Sequence, residues 1–321
     1  MTPKLKTIDW DFKPIAKLGM YAKISLETYH RGDICVGPSV SSSGLRTLFA
    51  QSPAHFYASW AGNPRRIERK EKQNFIVGRA AHHLFLGEPF FAKLFVEQPK
   101  EYIDVKSGEV KAWSNNANFC REWNRERAKE GRAILKPDDC RAIEGMAESL
   151  SKHPLIVGEV KALNGLIERS LFWKDKATGL WLKSRPDSIP THSGEFVDLK
   201  TTISTRWYDL QKTIAEFGYH QQGALLRTAA REVLGLESFA FFLVFIEKEP
   251  PYCVRLVEVK THELDLGEKQ NRYAIDAVAR CLKSGEWPGP GGDREDALGI
   301  ELPEWSRKSI ESKLQYGVDE A

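Results

Sequence analysis

Arg185-Pro186-Asp187, followed shortly by Glu195-Phe196-Val197-Asp198-Leu199-Lys200, is the stretch on which the architecture turns. Side chains alternate along a strand, so Asp198 and Lys200 share one side while Val197 and Leu199 take the other. Valine and leucine can enter a core while a carboxylate and an ammonium are displayed together. Asp187 ends the preceding strand, and a hairpin would bring it beside Asp198. Two carboxylates that close repel unless a proton or cation intervenes. Hard oxygen ligands suit Mg²⁺ or Mn²⁺. A neighbouring lysine can then orient or deprotonate water, or offset charge on phosphorus.

Outward from this stretch, Leu166–Trp173, Leu180–Asp187 and Glu195–Lys200 read as a strand meander, with turns at Asp175–Gly179 and Pro190–Gly194. Helices are expected over Arg206–Glu216 and Tyr219–Leu234, then strands over Phe239–Ile246 and Tyr252–Val259, then a long helix over Leu264–Lys283. Upstream, helices are expected over Ser41–Ala61, Phe75–Leu86, Asn115–Lys129 and Asp138–Lys152. The order implies an α+β core with an α-helical N-terminal extension. We expect an N-terminal arm (1–40), one domain (41–290, a helical front at 41–153 and a core at 154–290) and a tail (291–321).

Composition bounds the function classes. The 321 residues are 41% hydrophobic and 28% charged, ordinary for a globular chain. Lysines and arginines number 47 against 44 acids, a balance of +3, so any nucleic-acid footprint must be local. The five cysteines are scattered without a C-x-x-C pair, which disfavours a disulfide framework or a cysteine-held metal cluster. The start of the chain does not read as a signal peptide, and the longest apolar run, Phe239–Ile246, is too short to span a bilayer. A cytoplasmic setting and no membrane partner are expected.

The pattern acid-x-Lys recurs along the chain, as at Glu159-Val160-Lys161 and Glu258-Val259-Lys260, but only Asp198-Leu199-Lys200 has a meander and an upstream carboxylate around it. The bland alternative is a surface hairpin with a salt bridge. Glu168 on the first meander strand can join the acidic group or be solvated. His82, in Gly78-Arg79-Ala80-Ala81-His82-His83, can be a ligand or can bond a helix carbonyl. Gln222 in Tyr219-His220-Gln221-Gln222 would by default be exposed. Arg65, Arg66, Arg69 and Lys70 form a local basic cluster, and Arg46, Arg79, Lys183 and Arg185 are further candidates for phosphate contact. Arg46 is the candidate for a 5′-phosphate. Trp60, Trp113, Trp123 and Trp207 are either core aromatics or base-stacking residues.

Taken in order, Gly78-x-Ala80-x-His82, Glu168-x-Ser170-x-Phe172-Trp173, Lys183-x-Arg185-Pro186-Asp187, Asp198-Leu199-Lys200-Thr201-Thr202 and Tyr219-His220-x-Gln222 resemble the RecE-type (exonuclease VIII-like) phage and prophage branch of the PD-(D/E)XK nucleases, relatives of lambda exonuclease. Ser52-Pro53-Ala54-His55-Phe56, Phe245-Ile246-Glu247 and Trp287-Pro288 also fit, so the resemblance runs from about Ser41 to Pro288. It implies a restriction-endonuclease-like core, a central mixed sheet flanked by helices. It implies metal ligation by Asp187, Asp198, His82 and the Leu199 carbonyl, with Glu168 serving a second metal or its water. Lys200 would be the catalytic lysine, and Gln222 with Tyr219 would orient the site or contact DNA. Leu226 stands where the family often has an aromatic residue.

The activity implied is Mg²⁺-dependent 5′→3′ digestion of one strand of linear double-stranded DNA by two ions, with Mn²⁺ as substitute, leaving 3′ single-stranded tails. The resemblance further implies a homo-oligomeric ring (trimer or tetramer), a single-strand annealing recombinase as partner, and a bacterial host cell. The rivals are a structure- or site-specific endonuclease on the same core, and a non-catalytic DNA-end-binding scaffold.

Overall fold

The computed structural model describes residues 6–67, 72–87, 91–157, 165–167, 169–190, 194–292, 297 and 299–316. Its centre is the strand Glu195–Thr202, paired in parallel with Ala240–Glu247, which pairs antiparallel with Val254–Val259. Asp198 lies opposite Leu243 and Lys200 opposite Phe245. The pairing is parallel because the connection carries two helices, Trp207–Phe217 and Tyr219–Ala229, and a π-turn over Ala230–Leu234, enough chain to cross a sheet face.

Helices cover both faces of this sheet. On one side Phe196, Leu243 and Phe245 pack with Leu225 and Leu226 of the helix Tyr219–Ala229 and with Ala274 and Val278 of the long helix Thr261–Ser284. The two helices approach closely at Gly267, where a Cβ would sit 2.8 Å from both the Ala224 Cβ and the His220 carbonyl oxygen. Between them Gln221 and Asn271 exchange buried hydrogen bonds of 3.1 and 3.0 Å. On the other side Val197, Leu199, Val244 and Ile246 pack against Val77, Ala80 and Ala81 of the helix Gln73–Phe85 and against Ile143 and Met146 of the helix Pro137–Lys152. The expected alternation of Val197 and Leu199 against Asp198 and Lys200 holds, but neither face is open water. Asp198 is 2% exposed.

The meander is half right. Ser170–Lys174 and Trp181–Ser184 form the expected antiparallel hairpin, and Gly179 at φ +74° closes its turn. The third segment leaves this sheet. Pro186 has no N–H for a ladder, and beyond it Ser188–Ile189 pairs, among the described residues, with the short Leu166–Ile167. Residues 195–202 send Phe196 toward one helical layer and Val197 and Leu199 toward the other, and go to the parallel sheet that both layers cover.

The expected N-terminal arm is instead part of the hairpin's sheet. Thr7–Asp9, Gly19–Ala22 and Ser39–Ser41 complete five strands in the order Thr7–Asp9, Gly19–Ala22, Ser170–Lys174, Trp181–Ser184, Ser39–Ser41. Met20 and Ile15 are 1% and 2% exposed. Segments this short carry no readable period, and Gly19–Ala22 and Ser39–Ser41 pair with strands over a hundred residues away. The expected helix over Ser41–Ala61 is two, Ser42–Ala50 and Pro53–Ser59. Ser52 caps the second through the His55 N–H, with Pro53 in its first turn. Two small ladders, Phe95–Glu97 with Ala133–Leu135 and Glu101–Ile103 with Val110–Ala112, were not expected.

Pro288–Ala321 is a separate unit, and within the expected tail Glu304–Tyr316 is helical. Among the described residues no helix is long and apolar enough to cross a membrane.

Candidate active site

The site forms at the edge of the strand Glu195–Thr202 that no strand among the described residues pairs with. In an extended chain the N–H and C=O of one residue point to the same edge. The Leu199 N–H donates to Asp187 Oδ2 at 2.6 Å, so the Leu199 carbonyl shares that unpaired edge. Asp187 thus arrives from the Pro186 break rather than across a hairpin. Its Oδ2 also lies 2.8 Å from His82 Nε2, reaching in from the helix Gln73–Phe85. On the opposite face Asp198 Oδ1 accepts from Gln222 Nε2 at 2.9 Å, and Asp198 Oδ2 is ion-paired with Lys200. The Lys200 ammonium lies 5.0 Å from the centre of the Tyr219 ring. One edge therefore gathers groups from both helical layers.

The electrostatics are frustrated. Burial, then the charge of Asp187, pushes the Asp198 carboxyl above the usual carboxylate range, with Lys200 pulling the other way. Burial also opposes ionisation of Asp187, but His82, Lys200 and the Leu199 N–H more than offset it and hold its carboxyl below that range. Burial alone would favour a neutral Lys200; Asp198 and Asp187 reverse this and raise its pKa, so the side chain is an ammonium near neutral pH. His82 is raised likewise, Asp187 outweighing its burial.

Two cavities meet here, both lined by Arg46, His82 and Gln222. The larger, a groove of about 870 Å³, runs past Leu199 and Lys200. The smaller, about 240 Å³, opens on Asp187, Arg185 and the serines that start the helix Ser42–Ala50.

Asp187, Asp198 and the Leu199 carbonyl are hard oxygen donors, and the mutual repulsion of the two acids is the condition a cation relieves. The set fits a divalent ion such as Mg²⁺ or Mn²⁺, with His82 Nε2 as an adjacent nitrogen donor. Among the described residues no three His, Cys, Asp or Glu side chains converge as a ready cluster. Glu168, expected to serve a second ion, lies outside the described residues.

Residues 41–296 match the family described as a PDDEXK-like domain of unknown function (DUF3799). The chain belongs to that family. The PDDEXK-like chain also resembles the crystal structure of a "putative exonuclease" from Eubacterium rectale (TM-score 0.54, 15% identity), over 87% of this chain and 94% of that one. At this identity the likeness bears on the fold alone. A phage-related exonuclease from Haemophilus somnus 129PT aligns over 64% of this chain and 95% of that one, at 10% identity and a TM-score of 0.27. No protein with a curated description matches.

Several of the expected DNA contacts of the PDDEXK-like domain stand elsewhere. Lys183 is 4% exposed, and its ammonium donates to the Tyr29 carbonyl at 2.7 Å, so it faces protein rather than phosphate. Arg185 donates to the Ile24 carbonyl at 2.6 Å while still bordering the smaller cavity. Arg46 donates to the Phe217 carbonyl and stands 6.0 Å from the Tyr219 ring centre, at the junction of the cavities. Tyr219 is half-buried and stacked on Phe217. Arg79 lies against the Phe95 ring and lines the groove. Arg65 and Arg66 are exposed, while Arg69 and Lys70 lie outside the described residues. Trp60 is a core aromatic stacked on Phe56, and Trp113 packs edge-on against Trp123. Trp207 is exposed.

Sequence reading missed Arg206, Lys212 and Lys248, which line the groove. The signal for Lys248 was its place directly after the Phe245-Ile246-Glu247 strand end, which the parallel register sets beside Thr202.

Proposed function

We propose that this PDDEXK-like protein is a divalent-metal-dependent DNA nuclease, and specifically a 5′→3′ exonuclease on linear double-stranded DNA that leaves 3′ single-stranded tails. The observation that carries the reading is the pair of buried carboxylates, Asp187 and Asp198, held at a strand edge beside the Lys200 ammonium where two cavities meet. A binding scaffold has no use for buried acids placed against phosphate, since they oppose the ligand's charge.

Bound there, Mg²⁺, in two ions on the family resemblance, would supply Lewis-acid activation of water and of the scissile phosphate. Asp187, Asp198, the Leu199 carbonyl and His82 would hold it, with Glu168 assigned to a second ion. Lys200, kept protonated by its acidic neighbours, acts as a fixed positive charge facing the phosphorane rather than as a base. Gln222 fixes the orientation of Asp198 through its 2.9 Å bond, and Tyr219 backs the lysine. Arg46, with its charge partly desolvated at the junction of the cavities, is assigned to the 5′-phosphate. A homo-oligomeric ring and a single-strand annealing partner, in a phage-type recombination role in the bacterial cytoplasm, complete the reading.

Incubation of 5′-phosphorylated linear duplex and of covalently closed circles with Mg²⁺ or EDTA tests it. Metal-dependent mononucleotide release from linear ends alone is the expected result. Nicking of closed circles would replace the exonuclease with an endonuclease, and binding without cleavage would replace the enzyme with a scaffold.

A further inference from the structure

The turn that follows the active-site strand is anchored more heavily than a surface turn requires. Glu247 Oε1 accepts from both the N–H and the hydroxyl of Thr205, at 2.7 and 2.9 Å. The Lys248 N–H donates to the Thr202 carbonyl at 3.0 Å. The Thr202 hydroxyl donates to the Ser204 carbonyl at 3.1 Å, and the Ser204 hydroxyl to Asp209 at 2.7 Å. Asp209 also accepts from Arg206 Nε at 2.8 Å. Between these anchors stands Ile203, 92% exposed, three residues beyond Lys200.

Turn positions in water are ordinarily filled by Gly, Asn, Asp or Ser. A stiff β-branched apolar side chain on a clamped turn is the reverse: bare apolar surface, already ordered, with little entropy left to lose on contact. Ile203 lines the 870 Å³ groove that holds Lys200, and Phe75 and Phe217, 59% and 52% exposed, line the same groove. Among the described residues the groove's lining has six lysines and arginines against two acids, Asp209 and Glu216, and Asp209 is already paired with Arg206. Dense positive charge with projecting apolar tips matches a ligand that offers phosphates and flat base faces together. A second protein copy fits less well, because the centres of protein interfaces are depleted of charge.

We propose that Ile203 presses against the base stack where the bound duplex end opens, parting the strand led to Asp187 and Asp198 from its complement. Apolar side chains unstack base steps in this way when a rigid element drives them in. The proposal rests on the reading of the site as a DNA nuclease, and its test keeps the two apart.

Wild type, Ile203→Ala and Ile203→Leu are given two linear duplexes with Mg²⁺, one fully paired at its 5′ end and one with the first few nucleotides unpaired. The ratio of paired-end to unpaired-end cleavage should fall about tenfold in Ile203→Ala, the scale of one lost base contact, and recover in Ile203→Leu. In parallel, 2-aminopurine in the terminal pair reports opening in EDTA, without any cleavage. Its fluorescence should rise with wild type and stay low with Ile203→Ala. An unaltered cleavage ratio, or equal fluorescence with both proteins, overturns the proposal. A changed sedimentation coefficient with an unaltered ratio assigns Ile203 to contact between copies, and also overturns it. If wild type cuts neither duplex, the nuclease reading fails and the fluorescence arm alone decides the role of Ile203.

Discussion

Two sets of carboxylates in this chain are treated in opposite ways. Around the helices Tyr219–Ala229 and Thr261–Ser284, Arg272 pairs with Asp175 and Asp276, and Arg227 with Asp265 and Glu268, at 2.6 to 3.0 Å. Asp175 also accepts from the N–H and hydroxyl of Thr178, and Arg272 with Thr178 outweighs burial to hold its carboxyl below the ordinary range. Each of these four acids is held by an arginine, which bridges two of them. At the strand edge two acids are buried together and one of them, Asp198, is pushed up. The first set has the makings of a stability device. The second keeps a repulsion that simple replacement by apolar residues would remove, and such retained conflict marks a working site.

The comparison breaks most visibly at Asp198. Asp198→Asn keeps the shape but removes a charged ligand, and cleavage is expected to fall by at least about a thousandfold. Attraction to Lys200 and repulsion from Asp187 offset in this residue, so the unfolding free energy should move by no more than about 1 kcal/mol. Urea denaturation beside a nuclease assay measures both; a large loss of stability would place Asp198 with the structural pairs. Next in size, Lys200→Met should slow cleavage about a hundredfold. Calorimetric Mn²⁺ titration should show affinity no weaker than wild type, because the ammonium competes with a cation for Asp198. Weakened Mn²⁺ binding would show that the lysine organises the metal ligands rather than the phosphate.

Strand alternation alone put Asp198 and Lys200 on one side, and it survives in the structure because it depends on neighbours in sequence. Asp187 reaches the same edge by a different route from the hairpin first read, because the choice of pairing partner is made by chain far away, at Ala240–Glu247. Lys183 and Arg185 show the same limit. Cations on a strand next to an acidic motif read as phosphate contacts, yet carbonyls of Ile24 and Tyr29 claim them. That segment shows no period in the sequence to give it away. Ile203 carried no signal at all; its meaning lies in the anchors from Glu247 and Asp209. The family's short motifs were legible in order, because their order along the chain does not depend on which distant segments they meet.

On the other side of the comparison, Asp175→Asn should cost about 2 kcal/mol by removing charge-assisted bonds to Arg272 and Thr178. Cleavage per folded molecule should stay at the wild-type level. The urea midpoint and the specific activity of the same preparation check this, and an activity loss without a stability loss would link this network to the site.

The smallest effect is a pH dependence, and it tests whether Lys183 is held by protein rather than by DNA. Burial pushes this ammonium down to about 8 from an ordinary 10.5, and the nearby Cys35 only partly opposes it. Between those two values the unfolded chain holds the proton and the folded chain has released it, so stability rises with pH in that window. The contribution is complete above the unfolded value and is lost as pH falls through about 8. Methionine at 183 keeps the buried stem but has nothing to titrate. The unfolding free energy of wild type relative to Lys183→Met should therefore climb by about 1 kcal/mol from roughly pH 7.5 to roughly pH 9. Taking the difference between the two proteins cancels tyrosine and cysteine titration common to both. A flat difference would mean that the ammonium is solvated, and would return Lys183 to the candidates for phosphate contact.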